Sequence, residues 1–307
     1  MRFRSWLLAP GNDETRLASA IGTGADVIVV DLAGTVPADR KGHARHLAAE
    51  WLEVHRRSVI EQRRMGRWVR INPLDSGLAR DDLGAIMASA PDGIILPRAT
   101  GPDAVRQLAA EVYELEQRNG ILANSTRIIP VVGETPCAAM TIAQYIDTDH
   151  QRLAGLTWGA NELANAISAR RTEDAAGAWS DTFRFVRSQA LLTAHACGIL
   201  SLDAAHQVVE DEAVVARAAR DAAADGFSGM FAVHPAQVPA INEAFATNSA
   251  QIAEAREIVD AFEAQPGVGA LPFHGRVIEG AHLARARGIL KTSGAEELRK
   301  TPILRPA

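Results

Sequence analysis

Val27-Ile28-Val29-Val30-Asp31-Leu32 opens with four consecutive β-branched residues and has no polar residue before Asp31. An unbroken apolar run of this length, with no alternation, predicts a strand covered on both faces, as in parallel sheets. Similar short runs recur at 5–9, 68–72, 93–97, 127–132, 153–158 and 230–233, with a weaker one at 199–203. Amphipathic helical patterns lie between them, for example at 14–21, 103–117, 182–196 and 211–224. The 103–117 helix should stop at Asn119-Gly120. Parallel strands need such helical crossovers. Eight strands with intervening helices and no G-x-G-x-x-G predict a (β/α)8 TIM barrel rather than a dinucleotide-binding sheet. The chain's 307 residues suit a barrel of about 250 residues plus an extension. The expected division is a barrel over 1–240 and a C-terminal helical extension over 241–307, packed on the barrel mouth or on a neighbouring subunit. Helical patterns at 250–264 and 280–290 flank residues 267–274 in that extension.

Composition narrows the function. Hydrophobic residues make up 47% of the chain and aromatics 5%, so Ala, Val, Ile and Leu do most of the packing. The net charge of −5 gives no electrostatic reason to expect nucleic acid. Arg56, Arg57, Arg63, Arg64 and Arg67 cluster; a solvated helix face or loop is the plain reading, and a phosphate patch for a nucleotide-bearing substrate is the other. The two cysteines, Cys137 and Cys197, form no CxxC and are expected as buried structural thiols. Pro10-Gly11 breaks the N-terminal apolar run before it reaches signal-peptide length. No stretch reaches the ~20 apolar residues that span a bilayer. A soluble cytoplasmic protein, bound to neither membrane nor nucleic acid, is therefore expected.

In a barrel of this kind the active site lies at the C-terminal strand ends. The polar residues there are Asp31, Arg70, Asn72, Arg98, Glu134, Asn161, Glu162, Asp203 and His234. They are rich in oxygen ligands and hold no His pair at metal spacing. Two carboxylates on adjacent strands, with waters, suit Mg2+, a hard cation that keeps waters for a substrate to displace. Arg70 beside them could fork onto a carboxylate or a developing enolate oxygen. Each residue also has a plainer reading. A Glu after a strand can be a helix N-terminal charge, and Arg70 can pair with Asp31 for structure alone. Asp203 and His234 can be buried hydrogen-bonding groups, and Asp26 the start of a strand.

The stretches SWLLAPGN (5–12), GADVIVVDL (24–32), VRINPLD (69–75), PDGIILPRA (91–99), IIPVVGETP (128–136), LTWGANEL (156–163), GFSGMFAVHPAQV (226–238) and GRVIEGAHLARARGIL (275–290) together resemble the citrate lyase β-subunit and malyl-CoA lyase family of the HpcH/HpaI aldolase superfamily. The ordered set covers nearly the whole chain. The resemblance implies a homotrimeric or hexameric barrel and Mg2+-dependent cleavage or formation of a C–C bond in an acyl thioester, of the malyl-CoA, citramalyl-CoA or citryl thioester class. It implies that Arg70 contacts the substrate's carboxylate and carbonyl, that Glu134 and Glu162 bind the metal, and that Glu279 of a neighbouring subunit supplies an acid over the site. Asn72, Arg98 and His234 are the further expected substrate contacts. The chain departs from the family pattern in several places. Ala33 and Gly34 stand where the family has an acidic pair, Asn161 where it has a glutamate, Met230 and Arg98 where it has lysines, and Glu162 and Glu279 where aspartate is usual.

A carbon–carbon lyase acting on a 3-hydroxy-dicarboxylyl thioester, with Mg2+ as cofactor, is thus the leading expectation. The alternatives are an aldolase acting on free 2-keto-acid-derived hydroxy acids, and a catalytically degraded binding or structural subunit, which the missing acids at 33 and 34 motivate.

Overall fold

A computed structural model describes residues 3–56, 65–148, 150–175, 177–246 and 249–292. Arg57, Arg63 and Arg64 of the basic cluster lie outside the described residues. The chain separates into two compact units, one over residues 3–245 and one beginning at Ala246.

The first unit contains strands β1 (Ser5–Pro10), β2 (Val27–Asp31), β3 (Gly66–Arg70), β4 (Gly93–Leu96), β5 (Arg127–Val132), β6 (Gly155–Trp158), β7 (Leu200–Asp203) and β8 (Gly229–Ala232). They close into a barrel in chain order, with β8 returning to β1, and every pairing is parallel. The two-residue period of a strand divides the run at 27–31 between two cores. Val27 and Val29 join Trp6, Trp68, Ile95, Ile129 and Phe231 inside the barrel. Ile28 and Val30 join the larger core between strands and helices. Packing on both faces is why the run shows no alternation.

The same period carries Asp31 inward at the end of β2. It is in register with Arg70 of β3, which is in register with Ile95 of β4. The N-terminal half of the barrel is closed by aromatic side chains. Trp6 and Trp68 meet edge to face at 5.0 Å, and Trp6 lies 5.8 Å from Phe231. On that face Arg4 grips Asp26 through its backbone N–H and guanidinium at 2.8–3.0 Å. Asp26 is therefore more than a strand start: it joins β2 to the chain entering β1.

The expected helices are present, including Pro102–Arg118 followed by Gly120 in the left-handed region. The first unit takes in the helix Val238–Ala244. The second unit has helices Ser249–Glu263 and Gly280–Thr292. Between them lies an antiparallel hairpin that a purely helical extension leaves out, β9 (Ala270–Phe273) and β10 (Arg276–Glu279). His274 and Gly275 both have positive φ, 46° and 79°, which matches a two-residue turn to the twist of a hairpin. Val259, Phe262, Leu271, Phe273 and Ile278 form that unit's own core. Among the described residues no helix is long and apolar enough to cross a membrane. The cysteines correct the expectation of buried thiols: Cys137 is exposed and Cys197 half-buried. Cys137 sits in the first turn of the short helix Pro136–Met140, whose buried residues are Ala138 and Ala139.

Gly93 is a sensitive point of the barrel. A β-carbon there would fall 2.4 Å from the Trp68 ring, which is itself wedged against Trp6. Gly93→Ala should therefore cost about 1–3 kcal/mol through overpacking. Urea denaturation would read this as a lowered midpoint at unchanged slope.

Candidate active site

At the C-terminal end of the barrel a cavity of about 530 Å³ opens between the strand ends and the loops that follow them. Arg70, Glu134 and Glu162 all line it. Arg70 is held from behind. Its Nε and Nη2 each donate to one Asp31 carboxylate oxygen, both at 2.7 Å. Asp31 is fully buried and also accepts from the backbone N–H groups of Ala33 and Thr35 and from the Thr35 hydroxyl. Burial alone would raise the Asp31 pKa; the charge and hydrogen bonds of Arg70 outweigh it and hold the carboxyl below its usual range. The plain reading of Arg70 as an ion-pair partner and the functional one are thus both met by one geometry. Two guanidinium nitrogens are fixed, and the side chain still faces the cavity.

Glu134 follows β5 through Gly133, whose φ of 73° turns the chain and whose missing side chain leaves room for Val186. Its carboxylate is buried. It accepts a hydrogen bond from the backbone N–H of Arg98. Arg98 has φ 51°, uncommon for a residue with a side chain, and that turn is where its N–H meets Glu134. The Glu134 pKa is pushed up to about 7, chiefly by burial and further by the Glu162 carboxylate. The Arg98 N–H and the charges of Arg70 and Arg98 pull the other way. Glu162 stands in the first turn of the helix Ala160–Ala166 and is exposed. A buried carboxylate facing a second one, with too little positive charge near it, is a donor set suited to a cation. Among the described residues no three His, Cys, Asp or Glu converge. Two carboxylates completed by water suit Mg2+ better than a metal that needs a full protein cage.

The other expected residues stand elsewhere. Asn72 is buried in a structural network: its amide donates to Leu32 O and Asp82, and its oxygen accepts from Lys41 Nζ. Lys41 also donates to the carbonyls of Leu32 and Ala33, so it clamps the loop after β2. The Arg98 side chain pairs with exposed Asp75 at 3.4 Å, and the residue meets the site through its main chain. His234 caps the turn Pro235–Gln237, its Nδ1 accepting from Ala236 N–H. Asp203 holds Trp158 Nε1 at 2.7 Å and is gripped by Arg187. Glu279 ends β10 in the second unit and is exposed. Sequence reasoning missed Glu173 and Trp179, between the helices Ala160–Ala166 and Asp181–Ala196, and His206, on the loop after β7; all three line the cavity. Glu173 and Trp179 stand further from a strand end than the residues singled out in the sequence, so strand position alone does not mark them.

A family model described as HpcH/HpaI aldolase/citrate lyase matches residues 4–235. The chain is 30% identical over 295 residues to a (3S)-malyl-CoA thioesterase of Cereibacter sphaeroides, covering 95% of each protein. It is 31% identical over 289 residues to a citrate lyase subunit beta-like protein of Mycobacterium tuberculosis, covering 94% of this chain and 95% of the other. Among solved structures it is similar to CitE from Mycobacterium tuberculosis in complex with magnesium, acetoacetate and coenzyme A, with a TM-score of 0.73 and 30% identity over 95% of this chain and 98% of that one.

The raised pKa of Glu134 makes metal-free stability depend on pH. The folded protein holds this proton more tightly than the unfolded chain, so stability falls as pH rises from 4.5 to about 7 and then levels. The drop is about 3 kcal/mol. Glu134→Gln should remove it. Thermal melts in chelator should show the variant gaining several degrees over the parent at pH 8 and little at pH 4.5.

Proposed function

The chain belongs to the HpcH/HpaI aldolase/citrate lyase family, and we propose that it is a Mg2+-dependent carbon–carbon lyase that cleaves or forms a 3-hydroxy-dicarboxylyl thioester of the malyl, citramalyl or citryl class. One observation supports this above the others: Arg70, fixed on Asp31, shares one cavity with the paired carboxylates Glu134 and Glu162. Glu134 and Glu162 would hold the ion. When bound, Mg2+ supplies a Lewis acid for the oxygens of the keto-acid half.

The remaining work falls to the chain's own groups. In cleavage the 3-hydroxyl gives its proton to a base. The electron pair of the broken C–C bond stays on the carbon beside the thioester carbonyl, and that carbon then takes a proton. Negative charge grows on the thioester oxygen in between. Arg70 meets that charge as a donor already oriented by Asp31, with no reorganisation left to make during the reaction. The base in this reading is Glu279 of a neighbouring copy in a trimer or hexamer, on the strength of its matching position. Beside Ala33 and Gly34, where the family's acidic pair is absent, the Ala33 N–H and Thr35 complete the shell of Asp31.

A second reading, hydrolysis of the same thioester, is favoured by the likeness to a malyl-CoA thioesterase. Product analysis separates the two: the lyase gives a 2-keto acid or glyoxylate with an acyl-CoA, the hydrolase free CoA. The purified chain should turn over malyl-, citramalyl- or β-methylmalyl-CoA only with Mg2+. Arg70→Lys, which cannot reproduce the two-pronged grip on Asp31, should lower kcat about 100-fold or more. No Mg2+-dependent turnover of any of the three thioesters would refute the lyase reading.

A further inference from the structure

Across the mouth from Arg70 the cavity has a second polar wall that the reaction above does not use. In a closed ring of eight strands β7 lies opposite β3, and His206 stands on the loop after β7 with Glu173 beside it on the stretch between the helices Ala160–Ala166 and Asp181–Ala196. Their side chains are 11% and 30% exposed, and both line the cavity. His206 Nδ1 accepts the backbone N–H of Val208 at 3.2 Å. The neutral imidazole therefore carries its proton on Nε2. That Nε2–H lies 3.6 Å from Glu173 Oε1, beyond a direct hydrogen bond, so donor and acceptor both keep capacity for a third group.

Both loops are braced. Buried Gln237 donates to the carbonyls of His206 and Val208 at 2.8 and 2.9 Å. Glu173 is bridged to Trp179, and Ser180 N–H donates to Thr172 O. Trp179 packs edge-on against Trp158 at 5.0 Å. The pair is therefore held against the cavity by a rigid wall.

We infer that His206 and Glu173 select the substituent on the keto-acid half of the substrate, and that they select a neutral group which both donates and accepts a hydrogen bond, a hydroxyl in the simplest case. This rests on the reading of the site as one for a keto acid on Mg2+ and shifts its preferred substrate: the citramalyl and citryl thioesters named above, whose keto-acid halves carry a methyl and a carboxylate, become weaker substrates than a thioester whose keto-acid half carries a hydroxymethyl. A methyl would leave both polar groups unpaired, which such sites reject strongly. A second carboxylate would face the Glu173 carboxylate; the arginine that lines the cavity, Arg70, is across the mouth and already neutralised by Asp31, and Arg217 approaches this loop at Gly177 without lining the cavity.

Calorimetry on the full chain with Mg2+ tests this without needing a thioester carrier. The probes are hydroxypyruvate, pyruvate and oxaloacetate. Hydroxypyruvate should bind at least about tenfold more tightly than either of the others. His206→Leu should erase that ratio, and His206→Gln, which keeps a donor, should retain part of it. Melting curves confirm that both variants fold. Pyruvate or oxaloacetate binding as tightly as hydroxypyruvate to the parent chain, or a preference that survives His206→Leu, would overturn the inference and leave the lyase reading standing. If none of the three binds with Mg2+, the keto-acid site itself is wrong and the inference falls with it.

Discussion

The buried pair of Asp31 and Arg70 is the constraint around which the mouth of this barrel is organised. An isolated guanidinium inside a barrel would be driven to solvent or left at a cost of several kcal/mol. Here the register of β2 and β3 sets the two residues side by side, both inward, and each satisfies the other's charge. The carboxylate then has acceptor capacity left for the Ala33 and Thr35 amides and the Thr35 hydroxyl. One ion pair thus fixes a side chain, two strands and a loop. Lys41 secures the same loop from its other side.

The electrostatics of the mouth follow from this neutralisation. With Arg70 committed to Asp31, little positive charge remains for Glu134 and Glu162, and the buried member of that pair holds its proton unusually well. In the proposed reading a divalent ion between the two carboxylates would relieve this imbalance.

The sequence showed the barrel because its strands are buried on both faces. The runs at 27–31 and 127–132 are dominated by valine and isoleucine, and their ends fall within one or two positions of the observed ones. The hairpin at 270–279 was hidden because its signal is a His-Gly turn rather than Asn-Gly or Asp-Gly, between strands of four residues each. Arg70, Glu134 and Glu162 were legible as residues of the barrel mouth because each stands at a strand end or within four residues of one. Asn72 and Arg98 also follow strands, but position along a strand does not say where a side chain turns. Asn72 is drawn into the network of Lys41 and Asp82, and the Arg98 guanidinium is drawn away by Asp75. His206 and Glu173 could not be found from the sequence, because they come from different loops and come together only where β6 and β7 pair side by side.

Arg98 shows how a position can be constrained while its side chain is not. Half of that side chain is exposed, and its ion pair with Asp75 is at the surface, where such pairs contribute little. What the position gives the site is one peptide N–H, presented from a left-handed turn. A survey of charge-removing replacements would score Arg98 as tolerant. Glycine and asparagine would fit the turn with less strain, and β-branched residues would fit it worst. Proline alone would delete the donor itself. The pattern of permitted residues there should follow backbone shape first, with the Arg98 charge a lesser contribution through its field on Glu134.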